Sequence, residues 1–309
     1  MKIIHLFTAP KIIIAIVFLL LLACEKPKER SHKEVKLVLQ ITVDGLRGDL
    51  IKRYENQFQE GGFNYLLNNG TYFSNAHYQH ANTETIVGHT TLATGTTPSK
   101  HGMIGNVWYH SESGEIGYNI EDPEAPLLPT REKTKKSAQL DPAQKASRTS
   151  GRSPKAILAK TFSDNLYKAS NGDAKIFGIS GKDRGAISMA GHYGKAIWYS
   201  TDNGDFISSQ YYYKDYPSWI NKWNEKRKAE KLAGQYWNLL NDLSSYQFKN
   251  QDNRPYEVDL KGFGKVFPHQ FGGINHPLLY TQIIVSPKGD ALLLDFAKKL
   301  VENENLGQD

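Results

Sequence analysis

Residues 35–43, Val-Lys-Leu-Val-Leu-Gln-Ile-Thr-Val, constrain the fold more than any other stretch. The run is rich in β-branched and aliphatic residues, with little polar interruption. That composition fits a central strand buried on both faces, as in sheets covered by helices on each side. It leads directly into Asp44-Gly45-Leu46-Arg47. A carboxylate just past the carboxyl end of such a strand lies where open α/β sheets carry their chemistry. A lone aspartate there is, taken by itself, better explained as a cap on the next helix.

The remaining pattern alternates strand and helix. Residues 70–77 and 174–180 are short β-type runs. Residues 49–68 predict one or two helices broken at Gly61-Gly62, and 154–167, 217–243 and 289–305 predict further helices. Asn203-Gly204 is a hairpin turn within 196–209. Trp219, Trp223, Tyr236 and Trp237 form an aromatic stripe better explained by packing than by a ligand. Residues 115–150 are rich in Pro, Lys and Ser and predict a surface excursion, with Lys133, Lys135 and Lys136 as a solvated face. Residues 244–275 predict a loop-heavy cap.

Three groups of residues have chemical potential. The first is Asn82-Thr-Glu-Thr-Ile-Val-Gly-His-Thr-Thr-Leu-Ala-Thr-Gly95, a hydroxyl-rich loop entering a helix that Gly95 stops. Thr85 falls in its first turn, where free N–H groups and the helix dipole favour an anion. Its hydroxyl can cap the helix, or act as a nucleophile if a metal lowers its pKa. The second is Asn106, which either holds a turn or donates its amide to a phosphate oxygen. The third is Gly181-Lys182-Asp183-Arg184-Gly185 after a strand, which reads as an anion clamp or as a charged surface turn.

The N-terminus carries Lys2, Lys11 and an unbroken apolar run from Ile12 to Leu22. That run is short for a bilayer span and suits an export signal. It ends Leu21-Leu22-Ala23-Cys24, which resembles a bacterial lipobox, and Cys24 is the sole cysteine, so no internal disulfide forms. The expectation is a signal peptide over 1–23, lipid attachment at Cys24, a polar tether over 24–36, and a chain held on a membrane of the bacterial cell envelope, facing the periplasm. A net charge of +6 without a basic, aromatic-interleaved helix argues against a nucleic-acid partner.

Taken together, Val-Asp44-Gly-x-Arg, Thr85-x-x-Gly-His89, Gly105-Asn106-x-Trp-Tyr109 and Gly-Lys182-Asp-Arg184-Gly resemble the alkaline phosphatase superfamily. Within it they resemble the type I phosphodiesterase/nucleotide pyrophosphatase-like branch, and more closely the bacterial threonine-nucleophile alkaline phosphatases. The resemblance implies a three-layer α/β/α sandwich with a mostly parallel central sheet, here truncated at the C-terminus, over 37–309, with cap insertions near 107–150 and 198–280. It implies a site with two zinc ions. Asp44 corresponds to a zinc ligand, Thr85 to the nucleophile that also contacts zinc, and Asn106 to a phosphoryl-oxygen donor. Lys182 and Arg184 correspond to a pair that contacts a phosphate monoester and that diesterase relatives lack. His89, one turn after Thr85, has a structural part.

One departure stands out. The family draws most zinc ligands from an Asp-x-x-x-His motif, an Asp-His dipeptide and a distal His, and no Asp here has a His four residues on or directly after it. His269 and His276 do not match the distal position. The expected protein is thus a fragment of a zinc-dependent phosphomonoesterase. The alternatives are one part of a two-chain enzyme, a diesterase or sulfatase-like hydrolase on the same scaffold, or an inactive anion-binding lipoprotein.

Overall fold

The computed structural model describes residues 35–131, 141–259 and 262–308. The signal peptide, Cys24, and Lys133, Lys135 and Lys136 lie outside them. No helix among the described residues is long and apolar enough to cross a membrane. Residues 41–305 form one compact unit, which contains every element below; the described residues of the other unit, 35–40 and 306–308, form neither helix nor strand.

The elements are α1 (Gly48–Tyr54), α2 (Phe63–Asn69), α3 (Thr85–Thr94), α4 (Pro98–His101), β1 (Val107–His110), β2 (Glu115–Tyr118), α5 (Pro142–Lys145), α6 (Phe162–Ala169), β3 (Phe177–Ser180), α7 (Asp183–Ala190), β4 (Lys195–Tyr199), β5 (Phe206–Ile207), α8 (Ser218–Asn224), β6 (Tyr236–Trp237), β7 (His269–Gln270), α9 (Leu279–Ile284) and α10 (Pro287–Asn303).

The central sheet has the order β3-β4-β5, with β3 parallel to β4 and β5 antiparallel to it. The parallel pair is joined through α7, a βαβ unit. Side chains alternate across it as a strand requires. Ala196, Trp198 and Ile207 join the core formed with Ala186, Ile187 and Ala190 of α7 and with Ile86 and Val87 of α3. Phe206 points the other way and stacks on Phe296 of α10, with centroids 4.0 Å apart. Helices therefore cover both sheet faces, giving the α/β/α layering. Close packing of α7 explains Gly178, where a Cβ would collide with the Ala186 carbonyl oxygen.

Several expectations need correction. Residues 35–43 form no strand, and Val35, Leu37, Val38, Leu39, Ile41 and Val43 are exposed. A strand exists through its neighbours' hydrogen bonds, and no described residue offers these nine a ladder. Residues 70–77 likewise form no strand, and Phe73 is exposed. The helix expected from Pro154 begins at Phe162, because Thr161 and Asp164 form a reciprocal capping box. The helix expected over 217–243 ends at Asn224, and β6 follows Gly234, whose φ of 72° suits a turn. Three of the four aromatic residues do pack: Trp219 and Trp223 surround Phe296, and Trp237 meets Phe263 and Phe267, while Tyr236 is exposed.

Candidate active site

Helix α3 opens on Thr85 and ends at Gly95, whose φ of 65° closes the C-cap. Thr85 Oγ1 donates to Asp44 Oδ2 at 3.2 Å across 41 positions of sequence. The nearby free N–H of Ile86 donates to Asn106 Oδ1 at 3.2 Å. Because the carbonyl end of Asn106 is engaged, its NH2 end is the one available to an anion. The loops carrying these residues are cross-tied. Asn82 Oδ1 accepts from Glu84 N at 3.1 Å and Asn82 Nδ2 donates to Ile104 O at 2.8 Å. Glu84 Oε2 accepts from Asn106 N.

His89 Nδ1 lies 2.8 Å from the Thr85 carbonyl, so that nitrogen carries the proton. Burial lowers its pKa, opposed by the Asp44 charge. A neutral imidazole locking the first turn beneath Thr85 agrees with the structural part expected of it.

Lys182 and Arg184 sit where β3 passes into α7. Arg184 is buried, 3 % exposed, and Lys182 is 47 % exposed. Both reach Asp141 Oδ2, at 2.9 Å from Arg184 Nη2 and 3.1 Å from Lys182 Nζ. Burial alone would lower the Arg184 pKa, but Tyr118, Asp141 and Asp183 around it raise it. Burial opposes ionisation of Asp141, and Arg184 and Lys182 outweigh that and hold its carboxyl below the ordinary range. A cleft of about 840 Å³ is lined by Glu84, Asn106, Asp141, Lys182, Asp183 and Arg184, among others. Thr85 and Asp44 do not line it; they lie beside its Glu84 edge.

Sequence reasoning gave no part to the network beneath this clamp. Asp183 is buried and accepts from Tyr118 Oη at 2.6 Å, Arg152 Nε at 2.8 Å, Gln144 Nε2 at 2.9 Å and the Arg184 N–H at 2.9 Å. The Arg152 guanidinium also lies over the Tyr118 ring, 4.9 Å from its centroid. Burial and the Asp183 charge push the Tyr118 phenol well above its usual pKa. The phenol therefore stays protonated and donates to Asp183, while accepting from Arg184 Nη1 at 3.3 Å.

The donors fit only part of a zinc site. Asp44 and Thr85 offer two oxygens of the about four ligands that zinc takes. Among the described residues, no group of three His, Cys, Asp or Glu side chains converges to hold a metal. His269 is engaged with the Phe263 carbonyl at 3.1 Å, and His276 Nδ1 accepts from Leu278 N at 3.2 Å.

Comparison with known proteins places this geometry. Residues 38–258 match the family described as type I phosphodiesterase / nucleotide pyrophosphatase. Alkaline phosphatase PhoV of Synechococcus elongatus is 34 % identical over 275 residues, covering 88 % of this chain and 47 % of PhoV. Alkaline phosphatase PafA of Elizabethkingia meningoseptica is 33 % identical over 286 residues, covering 91 % and 50 %. A Myroides odoratus protein named calcium-transporting ATPase is 33 % identical over 276 residues, covering 89 % and 48 %. The chain thus spans about half the length of the curated relatives it matches.

The crystal structure of wild-type alkaline phosphatase PafA superposes with a TM-score of 0.70 at 31 % identity, over 85 % of this chain and 48 % of that one. A PafA variant superposes with a TM-score of 0.73 at 30 % identity, over 86 % and 49 %. In that variant a threonine is changed to serine, and an asparagine, a lysine and an arginine to alanine; the asparagine follows the threonine by 21 positions and the arginine follows the lysine by 2. By its matched residues and its α/β architecture, this chain belongs to the type I phosphodiesterase / nucleotide pyrophosphatase family of the alkaline phosphatase superfamily.

Proposed function

We propose that this chain carries the phosphoryl-binding and nucleophilic part of an alkaline phosphatase-type phosphomonoesterase. The observation that carries the reading is the joining of Thr85 to Asp44, with Asn106 at the same helix end and the Lys182–Arg184 pair in the adjoining cleft. The PafA variant supports it: Thr85 and Asn106 stand the same 21 positions apart, and Lys182 and Arg184 the same 2.

In this reading Thr85 Oγ loses its proton and attacks phosphorus, the bond from phosphorus to the ester oxygen breaks, the ester oxygen leaves and takes up a proton as the alcohol, and water then hydrolyses the phosphothreonine to inorganic phosphate and free Thr85. Asp44 accepts the hydroxyl proton's hydrogen bond and orients the attacking oxygen. The Asn106 NH2 group donates to a non-bridging oxygen. A monoester carries about two negative charges near neutral pH, which Lys182 and Arg184 match. Asp44 and Thr85 would contribute to a zinc site completed by groups beyond the described residues; a bound zinc lowers the pKa of an oxygen ligand. The Leu21–Cys24 motif supports export and lipid anchoring on a bacterial membrane, which palmitate labelling that disappears in Cys24→Ser would test.

The family description itself favours a second reading, diester hydrolysis on the same scaffold. Turnover of an aryl phosphate monoester and of the corresponding diester by the purified protein with zinc separates the two. The wild type should prefer the monoester, and Lys182→Ala with Arg184→Ala should cut that preference by about 100-fold or more. A diester preference indifferent to both substitutions would refute the monoesterase reading.

A further inference from the structure

Lys182 and Arg184 carry the same charge and side by side repel each other. A single oxygen bridges them. Asp141 Oδ2 accepts from both, while Asp141 Oδ1 accepts from the backbone N–H groups of Ala143 at 3.0 Å and Gln144 at 3.4 Å. One carboxylate is thus anchored by the first turn of α5 and in turn anchors the two cations. Its side chain is 11 % exposed, so water screens these contacts weakly. Arg184 has a second hold from Tyr118 and Asp183 beneath it. Lys182 has a long flexible stem and a side chain that is 47 % exposed; Asp141 gives its ammonium an ion pair.

We infer that Asp141 is a positioning residue for the Lys182–Arg184 pair and, through it, sets the preference for a doubly charged phosphoryl group over a singly charged diester. The inference rests on the monoesterase reading above. Donor arithmetic permits it. The Lys182 ammonium has three N–H groups and one contact to Asp141, and Arg184, which lines the cleft, has two N–H groups on Nη2 for its one contact to Asp141. The pair therefore keeps donors for a ligand after Asp141 has taken its share. Fixing the separation of the two cations in advance also removes the ordering cost that a dianion would otherwise meet on arrival.

The test compares wild type, Asp141→Asn, Asp141→Glu and Lys182→Ala/Arg184→Ala with and without Asp141→Asn. Readouts are kcat and KM on an aryl phosphate monoester and its diester, and inhibition by inorganic phosphate. Asp141→Asn should lower the monoester-to-diester ratio by about 10- to 100-fold, weaken inhibition by phosphate, and cause no further fall once both cations are gone. Asp141→Glu, which keeps the charge, should recover part of the ratio. Tighter phosphate inhibition in Asp141→Asn would make Asp141 a competitor for the cations and overturn the inference. An unchanged ratio, or an equal fall in the cation-free background, would overturn it as well while leaving the monoesterase reading intact. Wild-type protein that turns over the diester and not the monoester would overturn both.

Discussion

Replacing Asp183 by Asn keeps the shape of the side chain and removes its charge, which makes its cost legible from the structure. Oδ1 accepts from Tyr118, Gln144 and the Arg184 N–H, and Oδ2 accepts from Arg152. An asparagine has one oxygen and one NH2. Either orientation sets that NH2 against donors, with Arg152 alone the lesser conflict. Breaking a buried ion pair by removing one partner costs about 3–5 kcal/mol. Arg152 keeps the Thr149 and Gly151 carbonyls on Nη1, which places Asp183→Asn near the low figure, about 3 kcal/mol. That is a large share of a domain stability of about 5–15 kcal/mol. Urea unfolding should show a lower midpoint with an unchanged slope. Thermal unfolding should fall by about 6–12 °C. A loss below about 1 kcal/mol would mean that Asp183 behaves as an exposed pair and that the buried network does not hold the clamp.

Gly178→Ala should destabilise by about 1–3 kcal/mol, because the new methyl meets the Ala186 carbonyl and must push α7 off β3; an unchanged urea midpoint would refute the tight contact. Phe296→Ala removes the ring stacked on Phe206 and touched by Trp219 and Trp223, and should cost about 3–5 kcal/mol in the same measurement. The His192–Asp164 pair gives stability a pH dependence. The Asp164 hydrogen bond raises the His192 pKa above its ordinary 6.5, so this contribution is full below that value and is lost as pH rises through the raised one. Burial opposes ionisation of Asp164, but His192 and the Thr161 N–H bring its pKa down to about 2, so its contribution is lost only as pH falls from the ordinary 3.8 towards that value. Unfolding midpoints should therefore decline from mildly acid to alkaline pH, and His192→Gln should flatten that decline; an equal slope in the variant would refute the assignment.

Local signals in the sequence succeeded where a short segment decides its own conformation. The helix from Thr85 to Gly95, the strand ending at Ser180, the turn at Gly204 and the C-terminal helix all have their start or stop residues within a few positions. The run 35–43 failed because a strand depends on neighbours that no local pattern supplies. The helix expected from Pro154 was misplaced although Thr161-x-x-Asp164 was visible as a capping signal.

The chemistry-bearing residues were legible through their joint spacing. Their supports were not, because Tyr118, Asp141 and Arg152 are ordinary residues in strands and loops that reach Asp183 or Arg184 across 31 to 66 positions. Asp183 lies inside the 181–185 motif, between two cations whose charges point to an anion while its own points to nothing by spacing alone. Only the folded structure reveals that it gathers Tyr118, Gln144, Arg152 and the Arg184 N–H.

The central claim is that the hydroxyl of Thr85 receives the phosphoryl group. Acid quenching of the protein during turnover of an aryl phosphate, followed by peptide mass spectrometry, tests it directly. The account predicts a phosphate on the peptide containing Thr85, absent from Thr85→Ala. A protein that turns over substrate with no phosphate on that peptide, or with phosphate on another residue, would contradict it.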